Sequence, residues 1–123
     1  MARGDNLEKR LTDFGARVIR LCQKLPKNPA GSHIGGQLLR SGTARAALYG
    51  EVRGAESTRD FIHKLKIALK ELNESRIWLT MIWDSELVSA KRMDGIVAEC
   101  NELCRILSAS IKTARASNDN QQS

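Results

Sequence analysis

Residues 36–79 read GQLLRSGTARAALYGEVRGAESTRDFIHKLKIALKELNESRIWL, and the second half of this stretch decides the fold. Ser57-Thr58-Arg59-Asp60 reads as a helix cap. After it, apolar or small residues stand at Phe61, Leu65, Ala68, Leu72, Ser75, Leu79 and, just beyond the stretch, Ile82. Steps of four and three stack all seven on one side of an α-helix. Neither proline nor glycine interrupts them. The pattern predicts a helix of about 28 residues, on the order of 40 Å long at 1.5 Å per residue.

Outward from there the signal changes character. The first half of the stretch belongs to a segment of about 32–52 with a weaker seam at Ile34, Leu38, Ser41, Arg45, Leu48 and Val52. It is rich in Gly35, Gly36, Gly42, Ala44, Ala46, Ala47 and Gly50. Glycine costs a helix about 1 kcal/mol against alanine, so its use here predicts close approach of another helix. Upstream, Leu7, Leu11, Phe14, Val18, Leu21 and Leu25 form the seam of a helix over about 6–25, with Asp5 and Glu8 as a capping box. Pro26 and Pro29 are the only prolines and mark the first connection, KLPKNPAGS. Downstream, Met93, Ile96, Cys100, Leu103, Leu107, Ser110 and Ala114 predict a fourth helix after Ser89. Short connections make neighbours antiparallel. The expected fold is all-α, an up-down-up-down four-helix bundle over 1–116, followed by an unstructured polar tail at 117–123.

Composition narrows the function. A chain of 123 residues is one domain, long enough to bury roughly two-thirds of its extended surface. It has no run of about 18 apolar residues for a membrane span, and MARGDNLEKR has no apolar stretch of a secretory signal, so the expected location is cytoplasmic. Cys22, Cys100 and Cys104 all fall on apolar faces and read as small hydrophobes. His33 and His63 lack the spacing of metal ligands, and no glycine-rich phosphate loop is present. Glu71 and Glu74 lack the Glu-x-x-His partners of a di-iron bundle. No cofactor, metal or catalytic set is expected; the chain reads as a protein that works by binding.

Two surfaces stand out. Residues 1–50 carry nine Lys and Arg against three Asp and Glu, whereas 51–123 carry eleven of each, so the whole net charge of +6 lies in the first two helical segments. Segregated positive charge favours polyanions. Arg3, Arg10, Arg17 and Lys24 recur every seven residues along the first helix, with Arg20 nearby. The candidate polyanion contacts are Arg10, Arg17, Arg20, Lys24, Arg40 and Arg45. The competing reading pairs the row with acids on an adjacent helix, such as Glu71 or Glu74, as flanking charges do in coiled coils; the protein would then be a protein–protein adaptor. Aromatic residues are too few for a base-stacking platform, with Tyr49 the only candidate. The third helix is also apolar beyond its seam, with Ile62, Leu69 and Trp83 on one flank and Ile67, Trp78 and Met81 on the other. Ile67, Trp78 and Met81 are the candidate contact with a second copy, against the alternative that Trp78 and its neighbours cap the edge of the bundle.

Gln37, LLRSGT at 38–43, GAES at 54–57 and DFIHKLKIALKE at 60–71 resemble the four-helix-bundle proteins encoded within intervening sequences of 23S rRNA genes. That family is related to the accessory protein of diversity-generating retroelements. The resemblance runs from about Phe14 to Leu87. It implies a small all-α subunit in a ring of five, without established enzymatic activity. As partners it implies structured RNA or an RNA–DNA intermediate and, in the retroelement-like version, a reverse transcriptase. The chain departs from the family's S-G-T-S-x-x-A-N-x-x-E pattern at Ala44 and Leu48, and it places Gly50 just before Glu51.

Overall fold

A computed structural model describes the backbone of residues 3–122, and the side chains of that span except at 3–5, 45–53 and 121–122. It consists of four helices: α1 (Arg3–Lys24), α2 (Pro29–Arg53), α3 (Thr58–Asp84) and α4 (Ala90–Gln122). The helices pack in chain order, α1 on α2, α2 on α3 and α3 on α4, and the α1–α4 side is the most open of the four seams. This is the expected four-helix bundle.

The core is made of the predicted stripes. Leu7, Leu11, Phe14, Val18, Leu21 and Leu25 are buried along α1. Leu65, Ala68, Leu72, Ser75, Leu79 and Ile82 are buried along α3. Met93, Ile96, Cys100, Leu103 and Leu107 are buried along α4, where Ile111 replaces the expected Ser110 as the next buried position. Each fully buried Leu or Ile stabilises the fold by about 1.5–3 kcal/mol. The core also contains one polar pair: the hydroxyls of Ser41 on α2 and Ser75 on α3 are 2.8 Å apart, and both residues are fully buried. Ser75 also donates to the Glu71 carbonyl oxygen at 3.0 Å, as a buried hydroxyl must find a partner.

The small residues of α2 allow close approach. A Cβ on Gly42 would lie 2.7 and 2.9 Å from the two γ-carbons of Val18, and one on Gly15 would lie 3.6 Å from the Gly42 carbonyl oxygen. The α1–α2 contact is therefore built on glycine, within one subunit.

Three boundaries differ from expectation. The first connection is shorter than KLPKNPAGS implies, because α2 begins at Pro29. Asn28 is its cap, its Oδ1 accepting the Gly31 amide at 2.8 Å, and proline suits the first helical position because its missing N–H would have no helical partner. A side chain at Gly31 would collide with the Pro26 carbonyl oxygen, so only glycine fits this tight corner. At the N-terminus α1 begins at Arg3, two residues ahead of Asp5, so Asp5 is not at the boundary. At the C-terminus the expected unstructured tail is helical as far as Gln122. Extending an existing helix avoids the cost of nucleation, and 117–122 contain neither glycine nor proline.

The ends of α3 explain its limits. Ser57 is extended (φ −152°, ψ 164°) and its side chain accepts the Asp60 amide at 3.0 Å, the predicted cap. At the other end Glu86 has φ 58°. Its amide donates to the Trp83 carbonyl oxygen, and the Leu87 amide donates to that of Ile82. This pair of bonds is the Schellman arrangement, with glutamate where glycine usually stands.

Candidate nucleic-acid interface

The heptad row of α1 has two fates, decided by what α4 places opposite it. At one end Arg10 meets Glu99: Nη2 donates to Oε1 at 2.6 Å and Nε to Oε2 at 3.2 Å. This two-pronged bond holds the guanidinium pKa above its ordinary value, with burial opposing. One heptad along, Arg17 faces Gly95, which offers no side chain; a methyl group there would lie 2.7 Å from Arg17 Nη2. At the far end the residue offered by α4 is Arg92, itself a cation.

The result is a cleft of about 320 Å³ between α1 and α4, lined by Arg17, Arg20, Lys24 and Arg92 around Leu21 and Ile96. Leu21 and Ile96 belong to the core and form an apolar floor. Arg17 is half-buried, and Arg20, Lys24 and Arg92 are exposed. None of the four cations makes an ion pair or side-chain hydrogen bond among the described residues. The first turn of α4 holds Lys91 and Arg92 and no acid, so the positive end of its dipole adds to the same field. A cleft lined by one sign of charge over low-dielectric walls concentrates anions.

The remaining predicted cations divide differently. Arg40 is engaged between α2 and α3: Nη1 donates to Glu71 Oε2 at 3.2 Å, and Nη2 bonds Glu74 Oε2. Arg10 and Arg40 thus tie neighbouring helices of one bundle together; the row's Arg10 takes Glu99, whereas Glu71 and Glu74, the acids expected opposite the row, are taken by Arg40 of α2. Arg45 lies outside the residues whose side chains are described, as does Tyr49. Of the six predicted contacts, Arg17, Arg20 and Lys24 come together in the cleft. Arg92 was not among them; its signal was its place with Gly95 and Glu99 on one row of α4, legible only once α4 is laid antiparallel against α1.

On α3, Ile67 and Met81 are exposed at 36% and 46%. Ile77, not singled out by the sequence pattern, is exposed at 47% on the same outward side. Trp78 is half-buried: its Nε1–H donates to Glu74 Oε2 at 3.1 Å and its ring meets His33 edge-on at 6.1 Å. Cys22 is half-buried with its Sγ donating to the Gly35 carbonyl oxygen at 3.5 Å, and burial pushes its thiol pKa up. Burial thus favours the protonated thiol, the less nucleophilic form. Among the described residues no helix is long and apolar enough to cross a membrane.

With the fold and cleft in view, comparison places the chain. Residues 7–109 match the 23S rRNA-intervening sequence protein family. The chain belongs to that family. Its fold also matches the crystal structure of a protein of unknown function from the S23 ribosomal protein family of Bacteroides thetaiotaomicron, with 32% identity and a TM-score of 0.80. The match covers 86% of this chain and 98% of that one. No curated protein matches significantly. The span shared with the 23S rRNA-intervening sequence proteins takes in α2 and α3 whole, along with both walls of the α1–α4 cleft.

Proposed function

We propose that this protein is a non-enzymatic nucleic-acid-binding bundle that holds backbone phosphate in the α1–α4 cleft. The observation that carries the reading is the convergence of Arg17, Arg20, Lys24 and Arg92 on one opening without an acidic partner among the described residues. Cations that serve helix docking look different here, as Arg10 with Glu99 and Arg40 with Glu71 and Glu74 demonstrate. Phosphate capture needs only long cations held on a surface, and it gives salt-sensitive, sequence-tolerant binding.

The second part of the proposal is self-association through α3. Support comes from Ile67, Ile77 and Met81, which put three large apolar side chains on the side of α3 turned away from its own core. A ring of copies, with five as the number implied by the resemblance, would repeat the cleft and multiply weak phosphate contacts. Charge reversal separates the two parts. Arg17→Glu with Lys24→Glu is expected to abolish nucleic-acid binding and leave the mass in solution unchanged; loss of the assembly in that variant would instead favour the adaptor reading. Ile67→Lys with Met81→Lys is expected to yield monomers, and an unchanged mass would remove α3 as the contact.

A further inference from the structure

The cleft combines cations with an apolar element. Its cations differ in exposure: Arg20, Lys24 and Arg92 are exposed, while Arg17 is half-buried, with its guanidinium lying against the exposed Gly95 of α4. Between them lies the apolar floor of Leu21 and Ile96. A volume of about 320 Å³ is at the low end of sites for single small molecules, about 300–1,000 Å³.

A duplex keeps the faces of its bases stacked inside and presents phosphates outward, so it can touch only the rim. An unpaired nucleotide has both parts to offer: a phosphate for the cations, and a sugar and base edge for the aliphatic stems of those cations and the small exposed edges of Leu21 and Ile96. Terminal phosphates carry more charge than internal diesters, which suits four cations with no acidic partner among the described residues. The same pairing of a positive groove with apolar contact to the base is how single-strand binders work in general.

We propose that the α1–α4 cleft binds a single unpaired nucleotide, most favourably a 5′-phosphorylated strand end, and that Gly95 is a positioning residue whose missing side chain lets Arg17 lie against α4. This rests on the nucleic-acid reading above and adds the class of ligand. A methyl group at residue 95 meets only the far end of a flexible side chain. It therefore moves the Arg17 guanidinium away from α4 without disturbing the helix, and alanine is the better helix former.

The test is a fluorescence-anisotropy titration of the full chain, wild type and Gly95→Ala. The probes are a short 5′-phosphorylated single strand, the same strand as a blunt duplex, and adenosine 5′-monophosphate as competitor. The single strand is expected to bind at least tenfold tighter than the duplex at equal salt, and the mononucleotide is expected to displace it. Gly95→Ala is expected to lose about tenfold of single-strand affinity while melting no lower than wild type. Equal or tighter duplex binding would overturn the ligand assignment and leave phosphate binding standing. Unchanged affinity in Gly95→Ala would overturn the role of Gly95. Absence of binding to either strand form at low salt would defeat the nucleic-acid reading itself, and the inference with it.

Discussion

Gly42→Ala and Gly95→Ala add the same methyl group to two helices of this bundle, and in each the new carbon would lie 2.7 Å from an α1 side chain. Their effects on stability are expected to differ in direction. Both gain the helix preference of alanine, about 0.8–1.0 kcal/mol. At Gly95 the neighbour is the tip of Arg17, which has no ion pair among the described residues to lose, so most of that gain survives. At Gly42 the neighbour is Val18, fully buried, with both γ-carbons and Cβ within 3.1 Å of the new carbon. A valine in a helix has essentially one side-chain conformer, so it cannot turn aside and α1 and α2 must separate. Overpacking of this kind costs about 1–3 kcal/mol. The net for Gly42→Ala is therefore from about zero to a loss of about 2 kcal/mol, and the two variants should differ by about 1–3 kcal/mol. Urea unfolding followed by circular dichroism measures both, with a difference of several degrees in Tm as a check. Equal stability of the two variants, or a less stable Gly95→Ala, would refute the contrast between a rigid and a flexible neighbour.

Three further outcomes follow from the same contacts. Arg10→Gln is expected to cost up to about 1 kcal/mol, the range for a partly exposed ion pair, and to change nucleic-acid affinity less than twofold, because Arg10 is already engaged by Glu99; a large affinity loss in the titration would contradict this. Glu86→Gly is expected to raise stability by about 1 kcal/mol or more, since the left-handed conformation costs a non-glycine residue about 1–2 kcal/mol and Glu86 has φ 58°; a lower Tm would show that its side chain has another role. Asp60 has its carboxyl pKa held below the usual 3.8, chiefly by the hydrogen bond from Lys64. The folded state thus binds the proton less readily than the unfolded one. Its contribution to stability is present above pH 3.8 and is lost as pH falls through the folded value. Thermal melts of Asp60→Asn and wild type should differ at neutral pH and converge on acidification below 3.8; a constant gap would contradict the assignment.

The helical seams were legible because burial in a bundle has a period, and Leu7 to Leu25, Leu65 to Ile82 and Met93 to Leu107 follow it without interruption. Pro29 was read as a connection because proline usually breaks helices, and its place just after a capping Asn28 is a separate local signal. The helical end at 117–122 is polar throughout and has no apolar seam, so composition alone points to a tail. The cleft was only half legible. Arg17, Arg20 and Lys24 could be found on α1, but which residues stand opposite them depends on the register of α4. That register puts Glu99 beside Arg10, Gly95 beside Arg17, and Arg92 at the rim with Arg20 and Lys24. Spacing within one helix carries no information about which residue a neighbouring helix places opposite.

Salt dependence of binding tests the central claim most directly. A single-stranded oligonucleotide titrated into the protein at 50 and 200 mM salt reports how many phosphates the cleft neutralises. Each contributes a slope of about −0.7 in log K against log salt, so one phosphate in the cleft and its neighbours along the strand at the rim cations, up to four in all, predict a slope as steep as about −3 and a loss of up to about 50-fold over that range. A steep slope that disappears in the Arg17→Glu, Lys24→Glu variant is the result this account predicts. No binding at 50 mM, or binding indifferent to salt, would contradict it.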